Sequence, residues 1–169
     1  MTKKLIIDLE TLGLAPFRGR IISIAVKNVD TGENQVFAGP TETILLENFW
    51  EYVGDSGAVF IGFNSDDFDI PFLIKRSLIR NIKMKPIIRS IDLRKIVNGF
   101  WFSYKRDIKG KLSDWAKVLH MAVKTESGSQ VYKLYRKNDW YEIIKHNIED
   151  IEITYALYLR CKNSKLIKY

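Results

Sequence analysis

The sequence predicts an α/β protein in which a mixed five-stranded sheet, opened by an antiparallel meander of three strands, is flanked by helices. Three observations carry this expectation. The first forty residues hold three strand-like runs with short connections. Two further short apolar runs, 58–64 and 87–93, stand apart between other segments, and most of the last third has helical periodicity. No internal repeat, low-complexity tract or linker rich in Gly, Pro or Ser divides the 169 residues, so a single domain over 1–169 is expected.

Each element has its own signal. The first strand covers about 3–9, where Leu5, Ile6 and Ile7 run together. "RIISIAVKNV" (20–29) and "NQVFAG" (34–39) follow as the second and third, joined by the hairpin turn "DTGE". "TILLENFWEYV" (43–53) is helical, Asp55-Ser56-Gly57 breaks it, and "AVFIGFN" (58–64) is the continuous apolar run of a central strand. "DIPFLIKRSLIRN" is a helix with Pro71 in its first turn, where a missing N–H costs nothing. After Pro86, "IIRSIDL" is the fifth strand. Beyond an aromatic stretch (99–104) and the basic loop "KRDIKGK", helices are expected at about 112–121, about 128–136 and from Asp139 to about Asn163. His120 reads as a structural residue at a helix end where glycine is common, and Asp139 with Glu142 fits a helix start. In the last helix Ile144, Ile148, Ile151, Tyr155 and Tyr158 recur at three and four, so that face is expected against the sheet.

Composition narrows the function classes. No apolar run approaches the roughly 18 residues of a membrane span. The start lacks the apolar core of a signal peptide, and the lone Cys161, read as a half-buried thiol, agrees with a reducing compartment, so a cytoplasmic location is expected. The net charge is +7, unevenly spread: residues 75–111 carry 12 basic and 2 acidic side chains, whereas residues 1–74 carry 5 and 11. Such clustering is the footprint of a polyanion binder, and also of a merely solvated face.

The acids are more pointed. Asp8 and Glu10, two apart on a strand, share a face at its C-terminal end, the edge where open α/β sheets bind ligands. Two anions about 4 Å apart repel by roughly 4 kcal/mol at an effective dielectric of 20, a penalty that a divalent cation removes. The plainer alternative is that either acid caps a turn or pairs with Arg18 or Arg20. Asp69 follows the fourth strand and opens a helix, so it belongs to the same edge, either as a site acid or as an ordinary N-cap. Asp150 lies in the last helix among Ile148, Ile151, Ile153 and Leu157, and a carboxylate so placed needs a partner. His146, four residues earlier, is rotated by about 40° and projects to the same side, where it suits holding and deprotonating a water.

With these residues assembled, the chain resembles the DEDD (DnaQ-like) superfamily of 3′–5′ exonucleases, whose fold is RNase H-like. It is most similar to the branch with archaeal stand-alone nucleases and the proofreading domains of family-B DNA polymerases. The first motif, D-x-E-T, matches Asp8-Leu9-Glu10-Thr11; the second, N-x-x-x-F-D, matches Asn64, Phe68 and Asp69; the third matches "HNIEDIEITYALY" through Asp150. One position departs: this branch carries tyrosine four residues before the last aspartate, where this chain has His146.

The resemblance implies hydrolysis of 3′-terminal phosphodiesters to nucleoside 5′-monophosphates with two Mg²⁺ or Mn²⁺ ions held by Asp8, Glu10, Asp69 and Asp150. His146 is then general base or water-orienting group, a choice left open. Leu12 is implied beside the terminal base, with Thr11, Asn64 and Phe68 nearby. Lys75 and Arg76, with Arg80, Lys83 and Lys85, suit tracking of a single-stranded backbone, as do Lys105, Arg106, Lys109 and Lys111. Phe100, Trp101, Phe102 and Tyr104 are stacking surfaces or core. The implied partner is a single-stranded 3′ end, DNA favoured over RNA, with no membrane; a homo-oligomer or a replication or repair partner stays open. Two rivals remain: a non-catalytic RNase H-like module that binds nucleic acid or serves a polymerase, and an endonuclease of the same fold.

Overall fold

The first strand, β1 (Lys3–Leu12), is the spine of the sheet. It pairs antiparallel with β2 (Arg20–Asn28) on one side and parallel with β4 (Ala58–Gly62) on the other. β3 (Asn34–Ala38) adds antiparallel to β2, and β5 (Ile87–Asp92) adds parallel to β4, giving the order β3-β2-β1-β4-β5. The expected mixed sheet and its antiparallel meander are both present. The helices are α1 (Glu42–Val53), α2 (Asp69–Ile79), α3 (Leu93–Asn98), α4 (Leu112–Val118), α5 (Ser129–Arg136) and α6 (Trp140–Asn163). The structure, a computed structural model, describes residues 2–98, 110–121 and 129–167; the aromatic stretch at 99–104 and the basic Lys105, Arg106 and Lys109 lie outside the described residues.

Alternation along β1 divides the core into two layers. Leu5, Ile7 and Leu9 face α1 and α2, in a cluster with Ile21, Ile24, Phe49, Trp50, Phe60 and Phe72. Ile6 faces the other way, with Ile61, Ile91, Ile151, Leu157 and Tyr158, so α6 covers that side. Period two then sends Asp8 and Glu10 toward α6 as well. No helix among the described residues is long and apolar enough to cross a membrane.

Several expectations need correction. β1 runs on to Leu12 because β2 pairs with it as far as Leu12 opposite Arg20, although its polar Asp8 and Glu10 end the apolar run that marked the strand. Helix α3 was not expected; it starts because the Asp92 carboxylate accepts the Arg94 N–H at 2.9 Å, an N-cap interaction. Helix α4 ends three residues early, where His120 adopts a left-handed φ of 54° and its N–H bonds back to the Lys117 carbonyl, the behaviour of a helix-terminating glycine. The buried stripe of α6 is rotated from the expected one: Ile143, Asn147, Ile151, Thr154, Tyr158 and Cys161 are buried, and Ile144, Ile148 and Tyr155 are only half-buried. A polar residue, Asn147, sits at the centre of that stripe, which apolar periodicity could not reveal. Cys161 is correspondingly buried rather than half-buried.

Candidate active site

The site is built where β1 outruns its neighbour. Parallel pairing of β1 with β4 stops at Ile6 opposite Ile61, yet β1 continues for six more residues. Asp8 and Glu10 ride on this overhang. The space beyond β4 is filled by the loop at 63–68 and the start of α2, and there the Leu9 N–H donates to the Asp69 Oδ1 at 3.1 Å. Beyond Glu10 the β1–β2 register shifts, so Ile21 and Ile22 are both buried, in different clusters.

The loop before Asp69 is held by an acid that sequence reasoning missed. Asp92, 4% exposed at the end of β5, accepts the backbone N–H of Asn64 at 2.9 Å and of Asp66 at 3.1 Å. Asn64 turns the chain with a left-handed φ of 66°, and its side-chain oxygen accepts from Arg94. At Gly62 a Cβ would come within 2.4 Å of the Ser65 Cβ, so the loop folds back onto a position that only glycine fits.

From the other side α6 supplies Asp150, His146 and Asn147. Ligand-capable atoms of Glu10, His146 and Asp150 all lie within 4.8 Å of one another, the separation at which one cation can be shared. Asp8 and Asp69 stand outside this trio but near enough for each to be repelled by Asp150. Asn147, fully buried, donates from Nδ2 to the Asp8 Oδ2 at 2.7 Å and to the Asp8 carbonyl at 3.1 Å, and its Oδ1 accepts from the Ser23 hydroxyl at 2.6 Å. A chain from β2 through α6 thus fixes the Asp8 carboxylate. Asn147 and Ser23 were missed in the sequence; their signal is a polar residue at a position whose spacing points inward.

The electrostatics are those of an anionic nest. Burial, then repulsion by Asp150, Asp69 and Glu10, raises the Asp8 carboxyl well above its ordinary range, partly opposed by Asn147. Burial and the same two aspartates push Glu10 up to about 8. Burial carries Asp69 to about 7 against the Leu9 hydrogen bond, with Asp92 and Asp150 adding to the rise. Asp150 rises to about 6 through burial, moderated by His146. Among the described residues no lysine or arginine contributes to any of these four shifts. Hard oxygen donors that repel one another, with His146 alone opposing, fit one or more divalent ions of the Mg²⁺ or Mn²⁺ kind.

The remaining candidates separate. Thr11 donates from its hydroxyl to the Gly13 carbonyl at 3.0 Å, and half-buried Leu12 packs beside the Ile22 cluster. Phe68 packs on Phe72, their ring centroids 5.4 Å apart. Lys75 is exposed on α2. Arg76 corrects its expected role: at 4% exposure it is locked in a two-pronged pair with Glu42, 2.9 Å from Nε to Oε1 and 2.5 Å from Nη2 to Oε2, and its Nη1 donates to the Pro16 carbonyl at 2.8 Å. With every arm engaged, it holds the chain and has none left for a strand.

Residues 5–161 match the family described as the RNase H superfamily. An uncharacterised protein of Methanocaldococcus jannaschii is 36% identical, over 92% of this chain and 93% of its own. Among solved structures, a family B DNA polymerase of Pyrobaculum calidifontis superposes with a TM-score of 0.76 at 20% identity, covering 95% of this chain and 24% of the polymerase. The zinc-bound form of an E. coli exonuclease I complex with single-stranded DNA gives 0.60 at 14% identity, over 78% of this chain and 38% of the other. A product-bound exonuclease I gives 0.65 at 14%, over 98% and 45%. The chain thus spans about a quarter of that polymerase and less than half of those exonucleases, and at such identities the likeness speaks to the fold. The match over residues 5–161, on a fold shared with these structures, shows that the chain belongs to the RNase H superfamily.

Proposed function

We propose that the protein is a metal-dependent 3′–5′ exonuclease, one domain over 1–169, that removes nucleoside 5′-monophosphates from single-stranded nucleic acid, DNA favoured. The observation that carries this reading is the nest itself: four carboxylates from β1, α2 and α6, Asp69 buried and the other three half-buried, all with raised pKa and with His146 the one cation opposing the rise among the described residues. Two solved structures of similar fold are exonuclease I, one with single-stranded DNA and one with product, and the third is a polymerase, which supports a nucleic-acid substrate. The order and spacing of the three acidic motifs support the 3′–5′ direction.

Asp8, Glu10, Asp69 and Asp150 would hold two Mg²⁺ or Mn²⁺ ions. Such ions, when bound, neutralise the nest, activate water and offset charge on the leaving oxygen. The chain does the rest. Asn147 keeps the Asp8 carboxylate turned into the site, and the Leu9 N–H does the same for Asp69. His146, within reach of Glu10 and Asp150, is placed to take a proton from the attacking water on an imidazole nitrogen or to orient that water. A His146→Ala enzyme with full activity removes it from the mechanism.

The deciding experiment is digestion of 3′- and 5′-labelled single- and double-stranded DNA and RNA, with and without Mn²⁺. Stepwise release of the 3′ label as mononucleotide, stopped by EDTA and by a blocked 3′ end, is expected. Internal cuts in a 3′-blocked strand identify an endonuclease instead, and intact strands in Mn²⁺ identify a non-catalytic binder.

A further inference from the structure

Directly beyond the acidic nest the surface changes sign. The loop at 13–19, which leaves β1 after Leu12, and the C-terminal turn of α2 border an open, shallow cleft of about 490 Å³. Leu12, Phe17 and Ile79 give it apolar walls; Arg18, Arg20, Arg76 and Arg80 bring four guanidinium groups to it, and no acidic residue among the described residues lines it. The arginines differ in what they already hold. Arg20 bonds and stacks on Tyr135. Arg80 gives only its Nε to Glu42, at 2.8 Å, and its side chain is 41% exposed, so its terminal nitrogens stay outside that pair. Arg18 is exposed on the loop. The loop itself is clamped, because Arg76 holds the Pro16 carbonyl and the N–H groups of Arg18 and Gly19 both bond to the Ala15 carbonyl. A clamped loop presents its cation with little ordering cost on binding.

We propose that this cleft is a phosphate site, in which Arg18 and Arg80 grip the phosphate of a nucleotide unit whose base lies against the apolar wall beside Leu12. Planar guanidinium forks match phosphate oxygens two by two, and a cleft of several hundred Å³ is the size in which small organic ligands are held. The inference rests on the exonuclease reading and deepens it: Leu12 is two residues from Glu10, so a strand leaving the nest meets these arginines at once. The phosphate belongs either to the strand or to a free nucleoside monophosphate, and the two sources respond differently to the test.

Binding is measured by fluorescence anisotropy of a labelled single-stranded oligonucleotide, in EDTA so that the strand stays whole, and by calorimetric titration with a nucleoside 5′-monophosphate. Arg18→Ala, on an exposed loop, and Arg80→Ala are each expected to weaken the ligand that occupies the cleft at least fivefold. For the strand, each lowers the slope of log affinity against log salt by about 0.7. Arg89→Ala, which removes the same charge from the β5 edge, is expected to change affinity less than twofold. Loss confined to the oligonucleotide assigns the cleft to the strand, and loss for the monophosphate as well assigns it to a free nucleotide. A wild-type protein that binds while Arg18→Ala and Arg80→Ala bind as tightly overturns the cleft alone, as does an equal loss from Arg89→Ala. A wild-type protein that binds neither ligand also overturns the cleft, while digestion in Mn²⁺ alone decides the nuclease reading.

Discussion

Two charged groups flank β1, Glu42 with its arginines and the four acids of the nest, and the chain treats them in opposite ways. Glu42 takes two guanidinium groups and the Ile21 N–H, at 2.7 Å; burial works to raise its pKa, but the hydrogen bonds from Arg76 and Arg80 outweigh it and hold the carboxyl below its ordinary range. Asp8, Glu10 and Asp69 are raised by burial and by neighbouring acids, and Asp150 by burial and Glu149, with only hydrogen bonds and His146 in opposition. The first group is neutralised from within and fastens the loop at 13–19 to the body. The second has only His146 in charge opposition among the described residues. A buried charge that the fold completes is structure; one that the fold leaves incomplete is a candidate site.

The comparison breaks most visibly at Asp8. Asp8→Asn keeps the shape and a partner for Asn147 but removes a ligand charge, and it is expected to cut hydrolysis at least a thousandfold while the melting temperature without metal stays level or rises. A large fall in melting temperature would make Asp8 a structural residue like Glu42. Glu42→Ala should do the reverse, costing about 3–5 kcal/mol by stranding the buried Arg76, a fall in melting temperature on the order of 10 °C.

The two groups also predict opposite responses to pH. A raised carboxyl binds its proton more tightly in the folded protein than in the unfolded chain, so its contribution to stability is intact below about pH 4 and is lost as pH rises through about 6 to 8. Glu42, being lowered, contributes above the ordinary range and is lost as pH falls. In EDTA, stability should therefore decline from pH 5 to pH 8 by a few kcal/mol, since each tenfold difference in proton affinity between folded and unfolded chain is worth ~1.4 kcal/mol. Mn²⁺ should restore it more at pH 8 than at pH 5. Thermal unfolding across that range, with and without Mn²⁺, checks the sign; no decline in EDTA would mean that the acids are not mutually destabilising.

The smallest expected effect comes from the hydrogen-bond chain behind Asp8. Asn147→Ala should raise the Mn²⁺ concentration needed for half-maximal activity about tenfold, with rate at saturating Mn²⁺ largely recovered. Asn147→Asp, which adds a fifth acid, should be worse. If both variants lose stability but keep the metal requirement, Asn147 packs the helix and does not position the ligand.

The α/β class, the meander and the four acids were legible because each rests on local order: period two in β1, a continuous apolar run in β4, turn chemistry at Asp30 to Glu33, and a carboxylate in an apolar helix face at Asp150. Helix α3 and the rotated face of α6 were not, because Asp92 and Asn147 are polar residues whose burial depends on partners elsewhere in the chain. Arg76 shows the same limit from the other side. In the sequence it is one cation among several in a basic segment, and nothing local tells a substrate arginine from one already paired.

The sequence by itself therefore determined the order of all elements but α3 and which acids were candidates for a site, since periodicity and residue type act over a few neighbours. Only the tertiary structure decided which charges find partners. That depends on three elements meeting at the overhang of β1, and the free energy of a buried carboxylate is set by what lies within a few ångströms of it, however far away in the chain.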